Sequence, residues 1–386
     1  MSVTTYSNLV DPDGRAIGIR CAGGVIEAIG PGIDAPDAVD GEGRLVVPAF
    51  VEPHIHLDKI LWGEPWQPGP RVSRLLDYID NERKVLAAVP TPPAVRAGRI
   101  LTEMLRHGTT AVRSHIDVAP DMGLSHVEAM FTVREEWRDR VDLQFVAFPQ
   151  QGLLSRPGTT ELIRAAIDMG VETVGGLDPA GIDGDPDGQL RFIFDLAVEK
   201  GAGVDIHLHD TGDLGAWQVE RIADYTEASG LAGKVMISHA YCLGMISERR
   251  LDAIGRRLAD LKMSLMTSAP ADIAVPPVER LTELGVTICC GSDGIRDSWS
   301  PLGNGDMLER AFLTAYRFDW NRDEDFRRAL SCATAVAARA IGLENYGLHA
   351  GARADFVMLE AVNVGDAICR RPAGRRVVRR GAVISG

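Results

Sequence analysis

The segment Pro53-His54-Ile55-His56-Leu57-Asp58-Lys59 places two histidines one residue apart, directly after an apolar run. Side chains two apart on an extended strand face the same way, so His54 and His56 can offer two imidazoles to one divalent ion. An H-x-H pair alone is as readily structural as metal-binding. Its weight comes from three later positions: His207 follows the run 204–206, His239 follows 235–238, and Asp293 follows 287–291. Histidine and carboxylate are the residue types that bind zinc or ferrous iron, and each of these stands at the end of a segment that reads as a strand.

Such residues act together only if the fold brings the strand ends together. The first 45 residues read as short β segments, 16–20 and 25–29, set between Asp-Gly, Gly-Gly and Pro-Gly turn pairs. From residue 45 the pattern changes. Apolar runs at 45–51, 111–115, 143–147, 173–177, 203–208, 235–238, 262–266 and 286–290 read as strands. Helical stretches at 93–106, 125–138, 159–169, 190–200, 216–229, 247–259 and 277–284 lie between most of them. Eight strands with intervening helices predict a (β/α)8 TIM barrel, whose strand C-terminal ends converge on one face where active sites sit. Helices at 306–316 and 323–341 follow, and then a β-like tail at 354–384. The expected division is a small β-sandwich domain formed by both chain termini, 1–48 plus 350–386, and a catalytic barrel over 49–349.

Composition narrows the partners. Over 386 residues, 41 Lys and Arg against 54 Asp and Glu give a formal charge of −13, which opposes nucleic acid and acidic membrane surfaces. No run approaches the roughly 18 apolar residues of a membrane span, and Asp11 and Asp13 interrupt the stretch where a signal peptide needs its apolar core. Six cysteines without a C-x-x-C pair suit a reducing cytoplasm. The oligomeric state is left open, a homo-oligomer included. The arginines at 370, 371, 375, 376, 379 and 380 are expected on a solvated strand-and-turn surface. His107 is expected to serve as a charge at a helix C-terminus, His126 and His349 at the surface, and His115 either beside the site with Asp117 or as a satisfied core residue.

Several segments together carry a family resemblance: 48–59 (Pro-Ala-Phe-Val-Glu-Pro-His-Ile-His-Leu-Asp-Lys), 114–118 (Ser-His-Ile-Asp-Val), 146–152 (Val-Ala-Phe-Pro-Gln-Gln-Gly), 204–207 (Val-Asp-Ile-His), 238–240 (Ser-His-Ala) and 291–293 (Gly-Ser-Asp). In order and over nearly the whole chain, they resemble the amidohydrolase superfamily in its cytosine-deaminase-like branch. The resemblance implies His54, His56, His207 and Asp293 as metal ligands and His239 as the group that orients or deprotonates the attacking water. It implies one divalent metal ion, Zn2+ or Fe2+, because the lysine that bridges two metals in binuclear relatives has no counterpart around residues 173–179. Asp293 is then both ligand and proton acceptor, and a second acid must protonate the leaving nitrogen.

For that acid two candidates stay open. Cytosine deaminases carry a glutamate three residues after the strand-five histidine, where this chain has the shorter Asp210; His209 can act in its place. His209 and Lys59 are similar to N-isopropylammelide amidohydrolases, the s-triazine side-chain hydrolases of the same branch. Gln150 resembles the family's substrate-contacting glutamine, and Trp299, with Trp62 and Trp66, can stack a flat ring or simply pack. Gly294 stands where cytosine deaminases have a second aspartate, which predicts added room in the pocket and a substrate bulkier than cytosine.

The expected function is hydrolysis of a carbon–nitrogen bond other than a peptide bond in a small nitrogen heterocycle. Deamination of a cytosine-like aminopyrimidine, purine or triazine is the favoured form. Removal of an alkylamine from an s-triazine-like ring, or cyclic amide hydrolysis, is the alternative. A catalytically inactive barrel acting as a binding protein is the remote one, opposed by the presence of all five residues His54, His56, His207, His239 and Asp293. A nucleic-acid deaminase would need H-x-E together with P-C-x-x-C, a serine hydrolase G-x-S-x-G, and a nucleotide-binding loop G-K-[ST]; none of these signatures is complete here.

Overall fold

A computed structural model describes residues 3–385. The N-terminal strands are β1 (Val3–Val10), β2 (Ala16–Ala22), β3 (Val25–Gly30) and β4 (Val39–Pro48). Eight more follow: β5 (Phe50–Ile55), β6 (Thr109–Asp117), β7 (Asp142–Phe148), β8 (Thr173–Leu177), β9 (Gly203–Leu208), β10 (Val235–His239), β11 (Ser264–Thr267) and β12 (Thr287–Cys290). The chain ends with β13 (Phe356–Leu359), β14 (Arg375–Arg379) and β15 (Ala382–Ser385). Among the described residues β5 to β12 form one parallel sheet in sequence order. A bridge between Ile55 and Asp293 joins its two edges and completes the TIM barrel.

Barrel strands are covered on both faces, which is why they read as nearly continuous apolar runs; every residue of β5, β6 and β8 is buried. The helices carry the complementary stripe. In the helix Pro93–Arg106, Ala97, Ile100, Leu101 and Met104 recur at helical spacing and are wholly buried, and the helix opens with proline in its first turn. Truncating Leu101 to alanine in that packed layer would cost about 2–5 kcal/mol.

The terminal strands form a second sheet in the order β15-β14-β13-β4-β1-β2-β3. On it Tyr6 packs edge-on against Phe356 at 5.2 Å and donates its hydroxyl to the carbonyl of Gly381 at 3.1 Å. Ile19, Ile26, Val46, Met358 and Val378 complete that core.

Four expectations about elements need correction. The run 45–51 is two strands in two different sheets: β4 ends at Pro48 and β5 begins at Phe50, the chain crossing between sheets at Ala49 without any break in its hydrophobicity. The helical stretch 323–341 breaks at Ala333 and Thr334 into Asp323–Cys332 and Ala335–Ala340. The β-like tail holds a helix, Val364–Arg370, capped by the Asn363 side chain accepting from the Asp366 N–H. A further helix, Leu75–Ala88, lies in a stretch with no expected element.

The arginine cluster is not uniformly solvated either. Arg375 is buried in a two-pronged pair with Asp306 at 2.7 and 2.6 Å, and buried Arg379 bonds Asp355 at 2.6 Å and Asp142 at 2.7 Å. His107 is the C-cap residue of its helix, where burial holds its pKa below the ordinary value. His126 is half-buried, its Nδ1 2.8 Å from Asp58. No helix among the described residues is long and apolar enough to cross a membrane.

Candidate active site

At the C-terminal mouth of the barrel, β5 delivers His54 and His56, β9 His207 and β10 His239, with Asp293 three residues past β12. The Asp293 N–H donates to the His54 carbonyl at 2.9 Å, so the contact that closes the barrel also sets this carboxylate among the imidazoles. Asp293 Oδ1 lies 3.3 Å from His56 Nε2 and 3.6 Å from His54 Nε2, and His56 Nε2 lies 3.4 Å from His207 Nε2. One donor atom from each of His54, His56, His207 and Asp293 falls within 4.8 Å of all the others. His239 stands beside this set, its Nε2 3.9 Å from Asp293 Oδ2.

The electrostatics suit a cation. Burial first, then the Lys59 charge, brings His56 down to about 4, and burial with neighbouring imidazoles keeps His207 and His239 well below the ordinary range. Burial alone would raise the Asp293 carboxyl, but the adjacent His239, His54 and His56 outweigh it and hold it well below its usual value. Neutral imidazoles and a carboxylate thus point lone pairs at one another, and His54 Nε2 is buried with no hydrogen-bond partner. A divalent ion would satisfy such a set. His239 (φ 72°) and Asp293 (φ 60°) both hold left-handed backbone, a conformation costing on the order of 1–3 kcal/mol that is common at functional strand ends. No lysine lies on β8, Thr173–Leu177, and at Gly175 a Cβ would come within 2.5 Å of the Ala147 carbonyl oxygen.

The two candidate acids separate. His209 lines the cavity, with its Nδ1 2.7 Å from Asp178 Oδ2 and its ring stacked on His239 at 4.6 Å. The buried carboxylate accepts, so Nδ1 carries the hydrogen and Nε2 is left for the cavity. Asp210 is not among the cavity-lining residues: its Oδ2 accepts from the Gly181 N–H at 2.9 Å and from Gln218 Nε2 at 2.8 Å.

The cavity has a volume of about 490 Å³. Gln150 and Lys59 form one wall, Lys59 Nζ donating to Gln150 Oε1 at 2.6 Å. That bond fixes the amide and turns its Nε2 toward other partners. Lys59 is buried, 3.2 Å from Asp117 and 3.3 Å from Glu82; burial by itself lowers its pKa, and these carboxylates more than compensate. Trp299 also lines the cavity. Its indole N–H donates to Glu82 at 2.6 Å and its ring stacks on Tyr78 at 5.0 Å, so its polar atom is satisfied and its ring forms the wall. Trp62 and Trp66 are elsewhere, flanking Arg296 at 5.4 and 5.6 Å.

Gly294 does not leave open room, contrary to expectation. A Cβ there would lie 2.1 Å from Asp297 Oδ2, so the Asp297 carboxylate fills the space. Its Oδ1 is pinned by the N–H groups of Trp299 at 2.8 Å and Ser300 at 2.9 Å. Sequence reading missed Asp297, Asp178 and Glu82. Asp178 ends Gly-Gly-Leu-Asp directly after β8, and the strand-end logic applied to His207 would have found it; Glu82 sits on the unanticipated helix and carries no such signal.

An amidohydrolase family profile matches residues 37–385. The chain is 32% identical over 361 residues to the N-isopropylammelide isopropyl amidohydrolase of Pseudomonas sp. (strain ADP), covering 90% of this chain and 88% of that protein. Among solved structures, the N-isopropylammelide isopropylaminohydrolase of Burkholderia multivorans superposes with a TM-score of 0.96 at 40% identity, over 100% of this chain and 98% of the other. The 5-methylcytosine deaminase of Klebsiella pneumoniae, liganded with 5-fluorocytosine, superposes at 0.89 with 29% identity, over 99% and 97% of the two chains.

Proposed function

This chain belongs to the amidohydrolase family, and from that premise we propose that it hydrolytically removes an alkylamine from a planar nitrogen heterocycle bearing a ring carbonyl. At the coarser level it is a hydrolase acting on carbon–nitrogen bonds other than peptide bonds. The observation that carries the finer reading is the acid: His209, held by Asp178, faces the cavity while Asp210 is turned into the protein. His209 and Lys59 are also the positions by which the sequence resembles N-isopropylammelide hydrolases. Pro270, Ala271 and Leu302 on the cavity wall suit an alkyl substituent.

His54, His56, His207 and Asp293 would hold one divalent ion, zinc or ferrous iron; when bound, it supplies the Lewis acidity that activates water near neutral pH. The remaining chemistry is the chain's own. Asp293 accepts a proton from the attacking water, and neutral His239 orients that water on the side opposite His56. As an imidazolium, a form that Asp178 favours, His209 delivers its Nε2 proton to the departing nitrogen and is left neutral with its Nδ1–H donating to Asp178. The proton taken up by Asp293 restores the starting state when it returns to His209. Gln150 donates from Nε2 to a ring carbonyl, its orientation set by Lys59. Trp299 provides an apolar plane for the ring. Water is added at the ring carbon, the carbon–nitrogen bond breaks, and a ring hydroxyl or its carbonyl tautomer remains.

Release of ammonia from a cytosine-like ring, the outcome favoured on sequence alone, is the second reading, supported by the likeness to 5-methylcytosine deaminase. The test is a panel of N-alkylamino hydroxytriazines, aminotriazines, cytosine and 5-methylcytosine given to zinc- and iron-reconstituted protein, with alkylamine and ammonia quantified separately. Alkylamine release is expected to dominate kcat/KM. Cytosine or 5-methylcytosine as clearly the best substrate would replace the first reading with the second.

A further inference from the structure

Among the imidazoles assigned to the metal, His54 stands apart. Its Nδ1 lies 2.9 Å from Ser238 Oγ, and the Ser238 hydroxyl donates to Asp205 Oδ1 at 2.8 Å. All three residues are fully buried, whereas the Nδ1 atoms of His56 and His207 are buried with no hydrogen-bond partner. Ser238 has one proton and gives it to Asp205, so its oxygen can only accept from His54. His54 must therefore carry its hydrogen on Nδ1, which leaves Nε2 as a lone pair directed at the Asp293 side of the site, 3.6 Å away. Beneath Asp205 lies Arg113, with Nη1 at 3.6 Å; its guanidinium also donates to Gln144 Oε1 at 3.1 Å and to the Ile341 carbonyl at 3.2 Å. The chain of contacts joins β6, β9, β10 and β5 across the barrel interior.

We propose that Asp205 and Ser238 are positioning residues that lock His54 in the tautomer and ring orientation able to ligate a divalent cation. Neither touches substrate. Each ligand histidine in a metal site ordinarily gains from a partner on its second nitrogen, and here a single relay supplies that partner to one of three. The same region offers a rival occupant, because ligand atoms of His54, His115 and Asp205 also lie within 4.8 Å of one another. A second ion there would compete for His54, whose Nδ1 is engaged by Ser238 and whose Nε2 faces Asp293.

The inference rests on the ligand assignment above but not on the substrate, and its test needs no turnover. Zinc affinity is measured by competition with a chromophoric chelator for the wild type, Ser238→Ala, Ser238→Thr, Asp205→Asn and the double variant Ser238→Ala/Asp205→Asn. Unfolding of each metal-free protein is followed alongside, together with the 15N shifts of His54. Ser238→Ala is expected to bind zinc about 10- to 100-fold more weakly. Its metal-free stability should fall by less than its zinc affinity, since Asp205 and His54 lose a buried partner, and His54 should change from a single Nδ1–H tautomer to a mixture. Ser238→Thr, which keeps the hydroxyl, should bind like the wild type, and the double variant should lose no more than the worse single one. Wild-type affinity in Ser238→Ala overturns the relay, as does a loss matched by an equal fall in metal-free stability. A second bound zinc equivalent that disappears in Asp205→Asn would establish the rival site instead. A wild type that binds no zinc defeats the ligand assignment itself, a separate outcome.

Discussion

His209 and Asp210 are adjacent in the chain yet meet opposite surroundings, because the strand ends at Leu208 and the turn sends one side chain over the cavity and the other under Gly181. Their spacing from His207 left both open as proton donors; turn geometry, which spacing does not encode, separated them. His209→Asn is expected to lower kcat/KM by about 10²–10⁴-fold, while Asp210→Asn stays within about tenfold, measured by amine release on the best substrate of the panel. The reverse order would make Asp210 the acid. Gly294 teaches a similar lesson. A missing side chain read as vacant space, but the vacancy belongs to Asp297, three residues further on. Gly294→Ala must therefore displace the Asp297 carboxylate against its two backbone donors, at a cost of about 1–3 kcal/mol. We expect a lower unfolding midpoint and a raised KM; a variant of wild-type stability and KM would show that the carboxylate has somewhere else to go.

At the scale of elements, barrel strands were readable because burial on both faces leaves unmistakable apolar runs, and the residues that could hold a metal because each sits at or just past such a run's end. The helix Leu75–Ala88 was not readable. It buries only Ile79 and Glu82, so it has no apolar stripe to announce it. It nevertheless shapes the cavity wall. Glu82 takes the Trp299 indole N–H and approaches Lys59, Asn81 donates to the Ser298 carbonyl at 3.1 Å, and Tyr78 stacks on Trp299. Glu82→Ala leaves the Trp299 indole N–H without its partner, at a cost of about 1–3 kcal/mol, and frees the ring that walls the cavity. The expected outcome is a KM raised about tenfold or more, in keeping with that energy, with kcat little changed. A fall in kcat at unchanged KM would place Glu82 in the chemistry rather than in the wall.

Across the whole molecule, the terminal sheet is tied to the barrel by buried charges. Arg375 and Asp306 are almost wholly enclosed, and Arg375→Ala would leave Asp306 buried and unpaired, a loss of about 3–5 kcal/mol in an unfolding titration. Asp142 at the foot of β7 meets Arg379 at 2.7 Å and also pairs with Arg353. Burial raises its carboxyl, and the two guanidiniums overcome that and hold it below its ordinary 3.8. A carboxyl depressed by folding contributes stability that is complete above the unfolded value and lost as pH falls through the folded one. The stability gap between wild type and Asp142→Asn should therefore be full at about pH 6 and shrink toward about pH 2; a gap independent of pH would rule out this linkage. These arginines were read from sequence as surface, since a run of six like charges gives no sign of which will find partners far along the chain. The same distinction runs through the protein. Barrel type followed from local period, because alternation along a strand and apolar runs are properties of neighbouring residues, and the proposed ligand set followed from a family resemblance laid over those strand ends. Which acid faces the cavity, which carboxylate fills it, and which serine fixes His54 depended on groups up to 184 residues apart brought together by closing the barrel, a relation that no local pattern carries.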